Sequence, residues 1–196
     1  VLSQKMTSRL RISSIDEKLL NQQVTLNGWV RTRRGSKGIS FIQLYDGSNQ
    51  NGIQAVADEL LVNYEEISRL TTGTSVSIIG KVVESPAKGQ TFEIHAEEVR
   101  VIGASSGDLY PLQKKGHTLE FLRDIAHLRP RTNTLGAVFR LRNTLSWAIH
   151  SFFQERDFLY VQTPIITAND AEGAGEMFHV TALDLENLPR NPEGKV

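Results

Sequence analysis

The first half of the chain alternates apolar and polar residues at period two, in short runs that are separated by turn residues. Two of these runs, residues 24–31 and 39–45, flank a Gly/Ser/Lys stretch at 35–38 and predict a β-hairpin. The polar cluster at 46–52 predicts a turn, and a third strand is expected at 53–57.

The period then changes to that of a helix before strand patterning returns. Apolar residues at helical spacing predict one amphipathic helix over residues 59–70. They are Leu60, Leu61, Tyr64, Ile67 and Leu70. Two further strands are expected at 75–85 and 91–103, joined by a turn at 86–90.

The order of these elements is strand, strand, strand, helix, strand, strand. It is the order of the OB-fold, a five-stranded, partly open barrel that often binds oligonucleotides on its second and third strands. We therefore expect an all-β OB-fold barrel of five strands and one helix. The fold also hosts oligosaccharide binders and spacers, so the order alone does not assign a function.

The rest of the chain has mainly helical patterning. A helix is expected at 118–127, and the basic, Pro-containing stretch 128–134 interrupts the pattern. A long helix is expected over 137–155, with an apolar stripe that must pack against another surface. Residues 158–166 predict a strand that ends near Pro164, because proline does not fit within a central ladder.

Composition narrows the possible ligands. The chain has 22 Lys+Arg and 22 Asp+Glu, a net charge of zero, and 39% of its residues are hydrophobic. Balanced charge excludes the global positive field of histone-like proteins, so any polyanion site must be local. The absence of cysteine excludes disulfides and thiolate zinc sites. No apolar run approaches the roughly 18 residues of a membrane span, and we expect no membrane association.

A local basic site is present in the first hairpin. Arg31, Arg33, Arg34 and Lys37 lie close together at the end of the first strand and in the loop that follows it. Such a cluster can neutralise phosphates, which gives salt-dependent affinity. A solvated hairpin tip without a ligand has the same composition.

Two neighbouring residues favour an RNA ligand for this hairpin. Phe41, on the second strand, can stack on an unpaired base for roughly 1 to 3 kcal/mol. Gln54, on the third strand, offers an amide donor and acceptor to a base edge. Each also has a plainer interpretation, with Phe41 in the barrel core and Gln54 an exposed strand residue without a specific partner.

The C-terminal part of the chain contains a loop of small residues at 171–178 with two carboxylates, Glu172 and Glu176. A mobile polar loop of this kind can close on an ammonium group, although an ordinary surface loop has the same composition. The Lys and Ser/Thr of a phosphate-binding loop are absent. The five histidines lack the spacing of zinc ligands and there is no nucleophile elbow, so we expect neither a metal site nor hydrolase chemistry.

Four segments together resemble the asparaginyl-tRNA synthetases of the bacterial and organellar type, a class II family. They are GWVRTRRGSKGISFIQLYDGS at 28–48, LRPRTNT at 128–134, ERDFLYVQTPIIT at 155–167 and AEGAGEMF at 171–178. The resemblance covers about residues 24–196, with class II motif 1 ending at Pro164 after an anticodon-binding barrel. Aspartyl- and lysyl-tRNA synthetases share this plan, and the GAGEMF sequence favours the asparaginyl type.

The resemblance implies roles for individual residues. An aromatic at the place of Phe41 stacks on the central uracil of the anticodon, Gln54 matches the residue that reads this uracil, and Arg34 matches a loop arginine that contacts the anticodon. Motif 1 implies a homodimer, with Pro164 near the active site of the partner. The loop that holds Glu172 resembles a flipping loop, in which this glutamate contacts the ammonium of the bound amino acid.

The family activates asparagine with ATP and Mg²⁺ and transfers it to tRNA(Asn). The in-line attack on the α-phosphorus needs arginines from motifs 2 and 3, and neither motif follows Glu176 in this sequence. We therefore expect no catalytic residue within this chain, no ATP, Mg²⁺ or other metal bound by identifiable residues, and no activity from the chain alone.

The expected organisation is an OB-fold anticodon-binding domain at 1–104, a linker at 105–117 and the incomplete start of an α+β class II catalytic domain at 118–196. The expected function is asparagine–tRNA ligation, in the cytoplasm or, in a eukaryote, in an organelle. Two alternatives stay open. One is a non-catalytic anticodon-binding module, and the other is a fragment of an aspartyl-type synthetase.

Overall fold

A computed structural model describes residues 10–113, 115–167, 178 and 180–195. The chain divides into two compact units, Val1–Ser146 and Trp147–Val196. The first unit contains a β-barrel, two short 3₁₀ turns that precede it and the helical segment that follows it as far as Ser146, within the last helix.

Five strands form the barrel, in agreement with the predicted fold. They are β1 Gln23–Ser36, β2 Ile39–Tyr45, β3 Ile53–Asp58, β4 Ser75–Glu84 and β5 Phe92–Gly103. Their order around the barrel is β1-β2-β3-β5-β4, and the β3–β5 pair is the parallel one among antiparallel neighbours.

The barrel is closed rather than partly open, because β1 is much longer than its predicted 24–31. Its first half pairs with β4, and its second half pairs with β2. The register of the β1–β2 pair shifts between Val30 and Thr32, where the strand changes partner. A shift of this kind bends a strand and lets one strand serve two neighbours of a closing sheet.

Alternation along the strands separates the barrel core from its outer face. Leu26, Ile42, Leu44, Ile78 and Ile94 are fully buried. Because successive strand residues point to opposite faces, the residues between them face outward. Burial of each such side chain stabilises the fold by about 1.5 to 3 kcal/mol.

The helix expected at 59–70 is much shorter than predicted. The structure has only α1, Tyr64–Ile67, between β3 and β4. Asp58 instead caps a turn, its carboxylate accepting from the backbone N–H of Leu60 at 2.9 Å, which offers this backbone an alternative to the helix. Leu60 consequently lies 87% exposed, and Ile67 is the residue of α1 that reaches the core.

The helical segment after the barrel begins at α2, Leu119–Asp124, where Thr118 caps the first turn by accepting from Phe121 N–H at 3.2 Å. A 3₁₀ turn at Arg129–Arg131 follows. Helix α3, Asn133–Gln154, starts four residues before the predicted 137. The stretch 128–134 was expected to be an interruption throughout, and it therefore contains the first residues of α3.

The prediction of a strand at 158–166 is wrong, because the structure has no strand there. A turn follows α3, with Asp157 at a positive φ of 62°. After this turn, the N–H of Phe158 donates back to the backbone oxygen of Phe153 at 3.1 Å. A strand needs a partner for its backbone groups, and the described residues of the second unit contain no other strand to provide one. No described helix has the length and apolar character to cross a bilayer.

Candidate nucleic-acid interface

The first hairpin has a tight turn. This turn fixes the register of β1 against β2, and therefore which side chains of the basic cluster lie on the same face of the hairpin. Lys37 and Gly38 both have positive φ, 47° and 77°. Two consecutive residues of this kind form the two-residue turn that matches the twist of a hairpin. In the stretch predicted as a loop at 35–38, Gly35 and Ser36 thus belong to β1 and only Lys37 and Gly38 form the turn, and Arg34 pairs directly with Phe41.

Three residues predicted to contact RNA converge on the outer face of β1, β2 and β3. Arg34 lies with its guanidinium carbon 5.2 Å from the centre of the Phe41 ring. The same guanidinium donates from Nη2 to Gln54 Oε1 at 3.3 Å. Phe41 is only partly buried and its neighbour Ile42 fills the core, so the alternative of Phe41 as barrel core is excluded.

Gln54 is more enclosed than an exposed strand residue would be, with 7% of its surface accessible. It pairs with Glu93 across the parallel β3–β5 ladder, and its Nε2 donates to Glu93 Oε2 at 3.1 Å. The plain interpretation of Gln54, a strand residue without a specific partner, is therefore wrong.

Glu93 is the residue of this face that the sequence did not indicate. Only 4% of it is exposed, and its carboxylate also accepts from Ser85 Oγ at 2.9 Å and Gln90 Nε2 at 3.3 Å. His95 Nε2 lies 3.4 Å from the second carboxylate oxygen. A glutamate within an alternating strand gives no signal of burial, because the parallel partner that encloses it is remote in sequence.

The basic cluster does not act as one patch. Arg31 points to the helical segment, where Nη2 donates to Arg131 O at 3.0 Å and to Asn133 Oδ1 at 2.6 Å. Its Nη1 donates to Gln50 O at 3.1 Å. Arg33 pairs with Ile42 and lies on the opposite face from Arg34. Of this cluster, Arg34 lies beside Phe41, and Lys37 is exposed at the turn of the same hairpin.

The remaining predicted site residues lie elsewhere. Pro164 is exposed in the irregular segment after α3. Glu172 lies outside the described residues, so its proposed contact with an amino acid stays a prediction. Apolar side chains along α3 are largely exposed, and the surface against which its predicted apolar stripe packs stays a prediction. They are Val138, Leu141, Leu145, Trp147, Ile149, Phe152 and Phe153.

Family models match both parts of the chain. Residues 24–102 match the OB-fold nucleic acid binding domain of the tRNA anticodon type, which contains Arg34, Phe41, Gln54 and Glu93. Residues 118–192 match class II tRNA synthetases of the D, K and N group.

Sequence relatives favour one member of the D, K and N group. The chain is 57% identical over 177 residues to the asparagine–tRNA ligase of Desulfitobacterium hafniense, and 58% identical over 180 residues to that of Salmonella typhimurium. Each match covers 90% of this chain but only 38% and 39% of the relative, so the chain spans about two fifths of their length. These matches support the asparaginyl type over the aspartyl alternative.

Solved structures agree with this. The asparaginyl-tRNA synthetase of Pyrococcus horikoshii, complexed with asparaginyl-adenylate, superposes with a TM-score of 0.79 at 25% identity. The superposition covers 90% of this chain and 41% of that protein.

Proposed function

The chain belongs to the asparagine–tRNA ligase family, and from this premise we propose that its barrel binds the anticodon loop of asparagine tRNA. We further propose that the whole protein, of which the chain spans a part, ligates asparagine to this tRNA. ATP and Mg²⁺ would be the co-substrate and metal of that reaction, bound by residues outside this sequence.

The convergence of Arg34, Phe41 and Gln54 on one face is the observation that carries the proposal. Phe41 offers a ring for a base to stack on. Arg34 lies beside it and Lys37 is exposed at the turn of the same hairpin, where both can neutralise phosphates that flank such a base. Gln54 can hydrogen-bond its edge. A stacking ring, two cations and an amide within one hairpin and its neighbour form a site for a short stretch of unpaired RNA.

Gln54 keeps hydrogen-bonding capacity for this role. A side-chain amide has two donors and two acceptor sites. The contact with Arg34 uses one acceptor site, and the contact with Glu93 uses one donor. One donor and one acceptor site remain, which is the number that a two-bond contact with a uracil edge requires.

For α3 and the segment that follows it we propose the motif 1 role, a homodimer through α3 with Pro164 close to the active site of the partner. The exposed apolar side chains of α3 support it, since a stripe of this kind is typical of a surface that another chain or domain covers.

Glu172 is proposed to contact the ammonium of asparagine, on the resemblance of its loop. A cytoplasmic location is proposed because the curated relatives act in translation.

Binding of anticodon stem–loop RNA tests the anticodon role. The 196-residue chain is titrated at fixed salt with a stem–loop carrying the asparagine anticodon, and with the same stem–loop carrying an unrelated anticodon. The proposal expects clear preference for the first RNA. Equal affinity for both would reduce the barrel to a nonspecific polyanion binder and overturn the proposal.

A further inference from the structure

The sequence contains the dipeptide Asn–Gly twice, at Asn27–Gly28 and at Asn51–Gly52. A glycine after an asparagine lets its own backbone nitrogen approach the asparagine side chain, because glycine carries no Cβ that would obstruct the approach. Attack by this nitrogen closes a cyclic imide and expels the side-chain amide. Both asparagines are exposed to water, so the backbone around each pair decides whether the reaction can occur.

The first pair lies within the ladder of β1 and β4. Asn27 pairs with Ser77, and Gly28 pairs with Val76. On its other side Gly28 packs closely against β2, since a Cβ at this position would lie 2.7 Å from the backbone oxygen of Tyr45. The backbone must leave the ladder before the ring can close, and such an opening is rare in a paired strand.

The second pair lies in the loop between β2 and β3. The ladder of these strands ends at the Leu44–Ile53 pair, so Asn51 and Gly52 lie beyond it. No hydrogen bond joins the Asn51 side chain to another residue that the structure describes. One contact does restrain the nitrogen that would attack: the N–H of Gly52 donates to Asn49 Oδ1 at 2.6 Å.

We propose that Asn51 is a site of spontaneous deamidation and that Asn49 slows the reaction by holding the Gly52 N–H. The proton on this nitrogen must leave before the nitrogen can attack. A hydrogen bond to Asn49 stabilises the protonated nitrogen, and it would face the deprotonated one with an oxygen of like charge. An ordinary hydrogen bond has a net strength that corresponds to roughly 2- to 10-fold in such a rate.

The reaction takes up water and releases ammonia. The deprotonated nitrogen of Gly52 forms a bond to Cγ of Asn51, the bond from Cγ to Nδ2 breaks, and Nδ2 leaves as ammonia after taking up a proton. Water then opens the imide. Its addition at Cγ gives aspartate. Its addition at the backbone carbonyl carbon of residue 51 gives isoaspartate, in which the main chain runs through Cγ. Both products carry a carboxylate that asparagine lacks.

Isoaspartate would lengthen the main chain of a loop that holds the start of α3. The backbone oxygen of Asn49 accepts from Arg140 Nη2 at 2.9 Å, and that of Gln50 accepts from Arg31 Nη1 at 3.1 Å. The side chain of Gln50 donates from Nε2 to Asn133 O at 2.6 Å. An additional main-chain atom at the next residue displaces these groups, so the modified loop should hold α3 less firmly.

Prolonged incubation of the 196-residue chain at neutral pH tests the site. Mass spectrometry of peptides from samples taken over time measures the asparagine that remains at 27 and at 51, and chromatography separates the aspartate and isoaspartate forms. In the folded chain, Asn51 should react faster than Asn27 by about tenfold or more, because Gly28 must first leave its ladder. In denaturant, where this ladder is absent, the two rates should be similar.

Variants test the restraint and its consequence. Asn49→Ala should increase the rate at Asn51 by roughly 2- to 10-fold, whereas Asn49→Asp, which keeps an acceptor, should not increase it. Asn51→Gln is the control for the product, because the longer side chain closes its ring far more slowly. After incubation, amides of residues 137–146 should exchange hydrogen faster in the wild type than in Asn51→Gln.

Faster reaction at Asn51 than at Asn27, together with acceleration in Asn49→Ala, supports the proposal. A folded chain in which Asn51 reacts no faster than Asn27 overturns the site. An unchanged rate in Asn49→Ala overturns the restraint by Asn49, and equal hydrogen exchange in the incubated wild type and Asn51→Gln overturns the effect on α3. Each of these results leaves the anticodon role standing.

Discussion

Arg34 lies directly opposite Phe41 in the first hairpin, with its guanidinium carbon 5.2 Å from the centre of the phenyl ring. A cation–π contact at an exposed site contributes about 0.5 to 1 kcal/mol. Stacking of a base on an aromatic ring contributes roughly 1 to 3 kcal/mol. Because stacking is the stronger contact, an unpaired base can replace the guanidinium over the Phe41 ring, while Nη2 of Arg34 keeps its contact with Gln54.

Removal of the ring should weaken RNA binding. We expect Phe41→Ala to cost roughly 1 to 3 kcal/mol of binding free energy for the asparagine anticodon stem–loop. Phe41→Leu keeps apolar packing but removes the stacking surface, so it should lose nearly as much, whereas Phe41→Tyr should bind like the wild type. These affinities are measured by filter binding at one salt concentration. Wild-type affinity in Phe41→Leu would show that the ring does not stack on a base.

The salt dependence of RNA binding should differ between variants of Lys37 and Arg31, two cations of the same basic cluster in the sequence. Lys37→Met should reduce the slope of log affinity against log salt by about 0.7, the value for one phosphate contact to a single strand. Arg31→Met should leave the slope unchanged, because the Arg31 guanidinium already contacts Gln50, Arg131 and Asn133. Titrations at four or more salt concentrations give the slopes. Equal losses in both variants would contradict this division.

Arg31 should instead matter for stability. Hydrogen bonds that involve a charged group contribute about 1.5 to 3 kcal/mol when their partners are partly buried. We expect Arg31→Met to lower the free energy of opening of the first hairpin by about 2 kcal/mol, measured by hydrogen exchange of the β1 and β2 amides. Lys37→Met is the control, because the exposed Lys37 should leave the same exchange rates unchanged. Unaltered exchange in Arg31→Met would mean that its three contacts are dispensable.

Gly80 lies at a close approach of β4 and β5, beside a register shift in their pairing. A Cβ atom at this position would lie 2.2 Å from the backbone oxygen of His95, so the strands would have to separate. Gly80→Ala should cost about 1 to 3 kcal/mol and lower the Tm by several degrees. Gly116→Ala adds the same methyl group where nothing lies within 4 Å, and should leave the Tm unchanged. Thermal melting followed by circular dichroism compares the two, and equal melting would contradict the close approach.

Local pattern predicts much of the barrel. Strands such as Ile39–Tyr45 follow directly from alternation, and this alternation also places Phe41 opposite to the buried Ile42. The positions of Arg34 and Gln54 beside Phe41 follow from the hairpin register and from strand order. What the pattern cannot provide is the parallel β3–β5 pairing that brings Glu93 to Gln54, because the two residues are 39 positions apart.

Elements that need a partner are the ones that sequence reasoning overestimates. The helix expected at 59–70 has apolar residues at suitable spacing, but Asp58 turns the chain and leaves Leu60 in solvent. Residues 158–166 have the composition of a strand, yet the described part of the second unit has no strand beside them. Hydrophobic periodicity indicates which face of a segment can be buried. Contact with a partner element decides which structure the segment adopts.

Recognition of the central anticodon base by the barrel is the claim from which the other roles follow. It is tested most directly by titrating the chain with full-length asparagine tRNA and with the same tRNA carrying a purine in place of the central uracil. The convergence of Arg34, Phe41 and Gln54 predicts an affinity for the second tRNA that is lower by about tenfold or more. Equal affinities for the two tRNAs at physiological salt would contradict it.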